Sequence, residues 1–599
     1  MSRRAALTHV TTEPREAESR PLDLGIVARL MRYMSPYRRR RNILLAIVVA
    51  RAVQLPFLAW VIGAVIAGPI SRGEPRGIVL GALGYLGLAA FTQFLFSFRA
   101  RLALELGEDV IKDVRDGMFE HLQRLPMSFH NRARVGRLIS RFTSDAESVR
   151  AGVQDVLFVS IVNGGQMLVA AALMLYHDRV LFLVVAALVP VLWGLNRLFR
   201  LRLSVAHRAV QESFSRVTAT LAESVGGIRV TQGFVRQEVN AGLFHELVAD
   251  HSRFNLDLAR TSGVFLPLLE FNTQLFVAAV LLVGGWRVLH GAAHLETVYQ
   301  FIMMSQVFFA PVQSLGSQYN NALTAMAGAE RIFRLLDTKP EWEDPPGAPP
   351  MPPMSGRVEF RGVGFAYVPD RPVLSGIDFV AEPGRTIALV GHTGSGKTTI
   401  VNLIARFYLP TEGRVLIDGV DTRGVEDVSF HRQMGIVLQQ NFLFSGTVLD
   451  NIRYARPEAT AREAVEVTER LDCRDLIEAL PDGFATVVGE RGGRISVGQR
   501  QLICFARAML ADPRILILDE ATSSIDAMTE ARIQKALQVL LSGRTSFVVA
   551  HRLSTIRHAN LVLVLDRGRI VERGTHAELL MEGGTYARLY RHFIRAGEA

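Results

Sequence analysis

The chain has 599 residues, 49% of them hydrophobic, and 67 Lys and Arg against 57 Asp and Glu give a formal net charge of +10. This length excludes a single small domain, and a mean hydropathy of +0.22 excludes an ordinary water-soluble protein. The positive charge does not indicate nucleic acid, because the arginines cluster beside apolar runs and form no separate basic module.

Residues 1–21 are polar and lack an apolar core, so they are read as a disordered leader with no cleavable signal peptide. Over residues 22–36 the pattern suits an amphipathic helix at a membrane interface. Six apolar runs follow near 43–67, 77–98, 155–176, 180–198, 263–289 and 298–317, each close to the roughly 20 residues that cross a bilayer core. Short loops alternate with long arginine-rich segments at 99–154 and 199–262. With Arg38-Arg39-Arg40-Arg41 before the first run, the bias of positive charge places the N-terminus and both long segments in the cytosol. Residues 22–337 are therefore a transmembrane domain with cytosolic loops, and six crossings return the rest of the chain to the cytosol. Polar residues inside the spans, Arg51, Gln54, Asn163, Gln166 and Glu270 among them, face a cavity or bond between helices. Arg51 and Glu270 stand apart as ionisable.

Seven prolines between Pro340 and Pro353 mark 338–356 as an extended linker. A soluble α/β domain is expected over 357–590, followed by a tail at 591–599. The two cysteines, Cys473 and Cys504, make no metal or redox pattern and suit buried thiols in a reducing compartment.

Within that domain, Gly391-His392-Thr393-Gly394-Ser395-Gly396-Lys397-Thr398-Thr399 fits G-x-x-x-x-G-K-[ST] without departure. The glycines let backbone N–H groups converge on nucleotide phosphates, Lys397 reaches the terminal phosphates, and Thr398 can ligate Mg²⁺. Lysine occurs only at 112, 339, 397 and 535, so an otherwise arginine-rich chain keeps a compact ammonium here. About 120 residues later Ile515-Leu516-Ile517-Leu518-Asp519-Glu520 reads as a buried strand ending in two carboxylates. Asp519 suits Mg²⁺ or its water, and Glu520 suits polarising an attacking water.

Upstream of that strand, Ile495-Ser496-Val497-Gly498-Gln499-Arg500-Gln501 resembles the L-S-G-G-Q signature of ATP-binding cassette (ABC) proteins. Tyr367, Gln439, Asp526 and His551, in that order, complete the family's set, and over about 22–590 the chain is similar to an ABC exporter half-transporter. The resemblance implies the type 1 exporter fold of six long transmembrane helices joined to a P-loop ATPase domain, using ATP and Mg²⁺. It implies that Tyr367 stacks on adenine, His551 contacts the γ-phosphate, and Gln439 senses Mg²⁺ and nucleotide. It implies further that Ser496, Gly498 and Gln499 close over nucleotide held by a second subunit. Leu125 to Asp145, and Glu223 to Glu238, resemble the two intracellular loops, and Thr486-Val487-Val488-Gly489-Glu490-Arg491-Gly492 an exporter segment that touches them.

The function implied is ATP-driven transport, outward, of an amphiphilic solute such as a drug, lipid or peptide, by a dimer working through alternating access in a bacterial inner membrane. An ATP-gated channel, a regulatory membrane ATPase and an importer on the exporter fold are the alternatives. Val497 departs from the signature, where the family has Gly, and a β-branched residue should crowd the phosphate and restrict the backbone. Intact Lys397, Asp519, Glu520 and His551 beside a poor signature resemble one half of a heterodimeric exporter; a homodimer that tolerates Val497 is the alternative.

Overall fold

The computed structural model describes residues 23–340, 342–519, 526–550 and 553–597, and the chain divides into two compact units. One holds residues up to Gln123 and Val135–Thr338; the other holds Arg124–Arg134 and Lys339 onward.

The first unit is helical. Its six long helices are Arg38–Val65 with a π-turn to Ile70, Pro75–Arg124, the run from Val135 to His177, Arg179–Gly226, Gln237–Leu289 and Leu295–Leu336. Among the described residues three of them are long and apolar enough to cross a membrane, and Thr273–Leu289 is a shorter apolar stretch. The expected spans at 180–198 and 298–317 run within Arg179–Gly226 and Leu295–Leu336. The arginine-rich segments are not separate loops. The span helices continue through them, so Pro75–Arg124 has 50 residues, about 75 Å at 1.5 Å per residue. No proline interrupts that helix after its first residue, and the Arg101–Glu105 pair at i,i+4 supports its polar half.

The apolar windows of the first three long helices are only 22%, 11% and 17% buried within the chain. Their remaining apolar surface needs lipid or another protein to cover it. The amphipathic segment forms the helix Leu24–Tyr33, capped by the Asp23 carboxylate accepting from Gly25 N–H. It is fastened as well as amphipathic: Arg29 lies 2.6 Å from the Asp337 carboxylate and 4.2 Å from the Phe333 ring centroid.

The second unit holds two sheets. β1 (Val358–Phe365), β2 (Leu374–Ala381), β4 (Glu412–Ile417) and β5 (Val420–Asp421) form an antiparallel sheet in the order β2-β1-β4-β5. β3 (Thr386–Gly391), β6 (Met434–Val437), β7 (Ile515–Asp519), β8 (Thr545–Val549), β9 (Leu561–Asp566) and β10 (Arg569–Gly574) form the other, in the order β10-β9-β3-β8-β7-β6. It is parallel except for β10. β3 carries the apolar run Ile387–Val390 and β8 the run Phe547–Val549, because these strands are buried on both faces as parallel strands between covering layers are.

The proline-rich segment does not stay clear of this unit. Met351 and Met354 enter its core, Met351 N–H donates to Ser429 Oγ, and Met354 N–H donates to Gln433 Oε1. Past residue 590 the helix Thr585–Gly597 continues through the expected tail.

Candidate nucleotide site

Parallel strands bring sequence-distant motifs to one sheet edge. Leu389 of β3 pairs with Val549 of β8, Val549 with Asp519 of β7, and Leu518 with Val437 of β6. The phosphate loop after β3, the acids ending β7, the residues after β8 and Gln439 after β6 therefore all leave the carboxyl edge, where α/β sheets bind ligands. Glu520 and His551, one and two residues past β7 and β8, lie outside the described residues.

The loop is built for close approach by an anion. Gly394 and Gly396 have φ of +82° and +105°, a region that disfavours side chains. A Cβ on Gly396 would come within 2.5 Å of Leu374 Cδ2, and one on Gly391 would strike the Leu565 carbonyl oxygen. Ser395 Oγ is buried and has no hydrogen-bond partner among the described residues. Lys397, 7% exposed, donates from Nζ to the carbonyls of Gly391 at 2.8 Å and His392 at 2.9 Å. Burial lowers its pKa from the ordinary lysine value, and the charge of Asp519 works against that. An orphaned buried hydroxyl and a buried ammonium in a loop whose three glycines lack Cβ atoms fit the phosphate chain of a nucleotide. His392, Thr393 and Thr398 are exposed beside them, while Thr399 is buried.

Tyr367 braces the helix that follows the loop. Its hydroxyl donates to Thr399 Oγ1 at 3.2 Å and accepts from Asn402 Nδ2 at 3.4 Å, and its ring meets Phe365 and Tyr408 edge-on. The short helix Met127–Arg132 of the first intracellular loop packs in this unit: Arg132 donates to the Tyr367 carbonyl at 2.9 Å, and Asn131 Nδ2 donates to the Tyr408 hydroxyl at 2.7 Å. The part played by Tyr408 is not legible in sequence, since an aromatic after a helix reads as core.

The signature motif does not join the phosphate loop. Ser496 caps the helix Val497–Leu510, its hydroxyl accepting from Gln499 N–H while Gln499 Oε1 accepts from Ser496 N–H, and Gly498 is buried in the first turn. This helix belongs to a second core cluster with Leu443, Val467 and Leu537. Val497 is the first helical residue and is 40% exposed. Val497 fits the backbone of this first helical position, and its bulk is presented at the surface. Asp526 caps Ala527–Leu541 by accepting from Thr529 N–H, which holds its carboxyl below the usual range.

Two family models match, the ABC transporter transmembrane region over residues 42–312 and the ABC transporter model over 374–523. An uncharacterised ABC transporter ATP-binding protein of Bacillus subtilis is 35% identical over 96% of each chain. A fatty acid ABC transporter ATP-binding/permease protein of Mycobacterium tuberculosis is 40% identical over 82% of this chain and 78% of its own. An ATP-dependent lipid A-core flippase of Syntrophus aciditrophicus is 35% identical over 86% and 85%. The solved structure of a bacterial Atm1-family ABC exporter with ATP bound matches with a TM-score of 0.76 at 26% identity, covering 93% of this chain and 98% of that one. With six long helices ahead of a P-loop domain, and relatives matched along nearly its whole length, the chain belongs to the ABC exporters, as a multi-pass half-transporter with a cytosolic ATP-hydrolysing domain.

Proposed function

We propose that this half-transporter moves an amphiphilic, acyl-chain-bearing molecule outward and that it works beside a second, different half-transporter. The observation that carries the nucleotide part is the loop around Ser395 and Lys397, with its buried anion-seeking groups at the carboxyl edge of the sheet. Lys397 holds the terminal phosphates, and the loop N–H groups from Gly391 to Thr399 hold the rest. Thr398 and Asp519 are the hard oxygen donors for a Mg²⁺ that arrives with the phosphates, and Gln439 borders them. No group of three or more His, Cys, Asp or Glu able to hold a metal occurs among the described residues, which suits an ion carried by its nucleotide. Bound there, the ion supplies neutralisation of charge in phosphoryl transfer. Glu520 polarises the attacking water, His551 positions it, and Tyr367 supports adenine. Ser496, Gly498 and Gln499 offer a helix start to the nucleotide of the second subunit.

The acyl-chain reading takes its support from the two relatives named for fatty acid and lipid A-core transport. The pairing takes its support from Val497, whose bulk stands on the surface the signature offers to a partner. The turn after Gly227 adds an apolar tip, with Phe234 73% and Val235 80% exposed, for the ATPase domain of that second subunit. Proteoliposomes holding this chain with its partner, fed ATP and a fluorescent fatty acid, should show nucleotide-dependent movement that stops with Glu520→Gln. Movement that ignores ATP, or none with any acyl substrate, would refute the reading.

A further inference from the structure

Arg51 is a cation where lipid-spanning helices seldom hold one. It sits eight residues inside the span expected at 43–67, about 12 Å along the helix, and a charge at such depth is costly unless it has work to do. Its Nη1 donates to the Thr92 carbonyl at 3.2 Å, and its Nε is buried with no hydrogen-bond partner among the described residues. No carboxylate forms an ion pair with it among the described residues. One turn beyond Thr92, on the same face of Pro75–Arg124, stands Phe96, and Arg99 follows at the next turn. The guanidinium carbons of Arg51 and Arg99 lie 4.9 and 5.5 Å from the Phe96 ring centroid. Phe96 is 45% exposed, so an apolar surface opens beside both cations. Asp155 lies within electrostatic reach of Arg99, one carboxylate against two guanidiniums. Gln54, on the same face as Arg51, bonds the Thr92 hydroxyl and the Leu88 carbonyl and keeps a buried Oε1 without a donor.

We infer that Arg51 and Arg99 form an anion subsite for the head group, carboxylate or phosphate, of an amphiphile whose chain lies along Phe96 and the neighbouring apolar residues. Two like charges sharing a ring, Arg51 within one span and Arg99 at the cytosolic end of the next, are stabilised by an anion between them, and Arg presents the planar fork that grips both head-group types. Gln54 Oε1 accepts a hydroxyl or amide donor from the same head group. This deepens the function proposed above by naming its substrate as anionic, and rests on that reading only for the claim that the bound molecule is transported.

The test uses the full-length transporter in phosphatidylcholine nanodiscs, without ATP, and two probes of equal chain length, hexadecanoate and hexadecanol. Arg51→Gln and Arg99→Gln should each weaken hexadecanoate about tenfold or more, the usual size of a lost charged hydrogen bond, and leave hexadecanol unchanged. Arg51→Lys and Arg99→Lys should keep most of the preference for the anion. Unchanged hexadecanoate binding in both glutamine variants, or an equal loss of hexadecanol, would overturn the subsite. Adding phosphatidylglycerol to the discs separates the sources: displacement of hexadecanoate assigns the site to bilayer lipid, and no displacement assigns it to the cargo, with an anion at the arginines in either result. Intact anion binding with no ATP-driven transport would fell the proposed function and leave the subsite standing.

Discussion

At the residue scale the nucleotide loop is a problem of desolvation. Lys397 is buried and, among the described residues, donates to two loop carbonyls, so its charge is held at a cost that an anion repays. Lys397→Ala should weaken ATP binding about tenfold or more, the scale of a charged hydrogen bond, measured by nucleotide titration. Glu520→Gln should leave ATP binding intact and abolish phosphate release, because an amide keeps the shape and cannot polarise water as a carboxylate does. Gly396 answers to backbone geometry: at φ +105°, with Leu374 Cδ2 2.5 Å from a built Cβ, Gly396→Ala should cost about 1–3 kcal/mol of ATPase-domain stability, read from its thermal transition. A wild-type transition in that variant would show that the loop conformation is not required.

At the element scale the proline-rich segment acts as a strap. Asp344 lies 2.6 Å from Arg406, which is 1% exposed, also donates to the Val425 carbonyl at 2.9 Å, and stacks on Trp342 at 4.7 Å. Arg406 directly follows the end of the helix that begins at Lys397, so the strap is tied to the nucleotide loop's own support. Asp344→Ala leaves the buried guanidinium with only the Asp427 carboxylate, 3.9 Å away, and should destabilise the ATPase domain by about 3 kcal/mol; a fall in its melting temperature and faster proteolysis near residue 345 would report it. His431 borders the same cluster, bonding the Ala405 carbonyl at 2.9 Å and lying 3.1 Å from Asp427. Burial works to lower its pKa, but hydrogen bonding and charge from Asp427 outweigh this and raise it above 6.5, while Asp427 is held below 3.8 by the same contact. The His431 contribution is complete below pH 6.5 and is lost as pH rises through the raised value; that of Asp427 is present above 3.8 and lost in acid. The ATPase-domain transition should therefore fall between pH 6 and pH 8.5 by more in the wild type than in His431→Gln. Parallel profiles would dismiss the pair as a contributor.

At the scale of the whole molecule the question is what completes the chain. Apolar spans mostly unburied by their own protein call for lipid as well as protein around them, and an exposed tip at Phe234 and Val235 and a signature with Val497 at its surface suit a second subunit. If that subunit differs, the two nucleotide sites are unequal: the one holding Glu520 turns over, and the one covered by Val497 clamps. The chain purified alone should then show little substrate-stimulated ATPase, and adding its partner should restore it. Val497→Gly should raise turnover only where the partner's own carboxylate is competent. A stable dimer of this chain alone with brisk hydrolysis at two equal sites would replace the heterodimer and leave the transporter intact.

Sequence by itself determined the family, the order of the domains, the spans and the chemistry of the loop, because these rest on local patterns: an apolar run long enough for a bilayer, a glycine spacing that fits phosphates, two acids ending a buried strand. Tertiary structure decided what depends on distant partners. Sheet order, which sequence does not display, lines Leu389, Val437, Asp519 and Val549 along one edge. The polar segments joined the span helices because no helix breaker interrupts them before Pro126 and Gly227, whereas charge alone had marked them as loops. The linker became a strap because Arg406, buried by a left-handed backbone at φ +55°, needs the carboxylate of Asp344. Arg51 was legible as costly, but only packing placed it beside Phe96 and Arg99, since the pairing of two helices turns an isolated charge into an anion-binding surface.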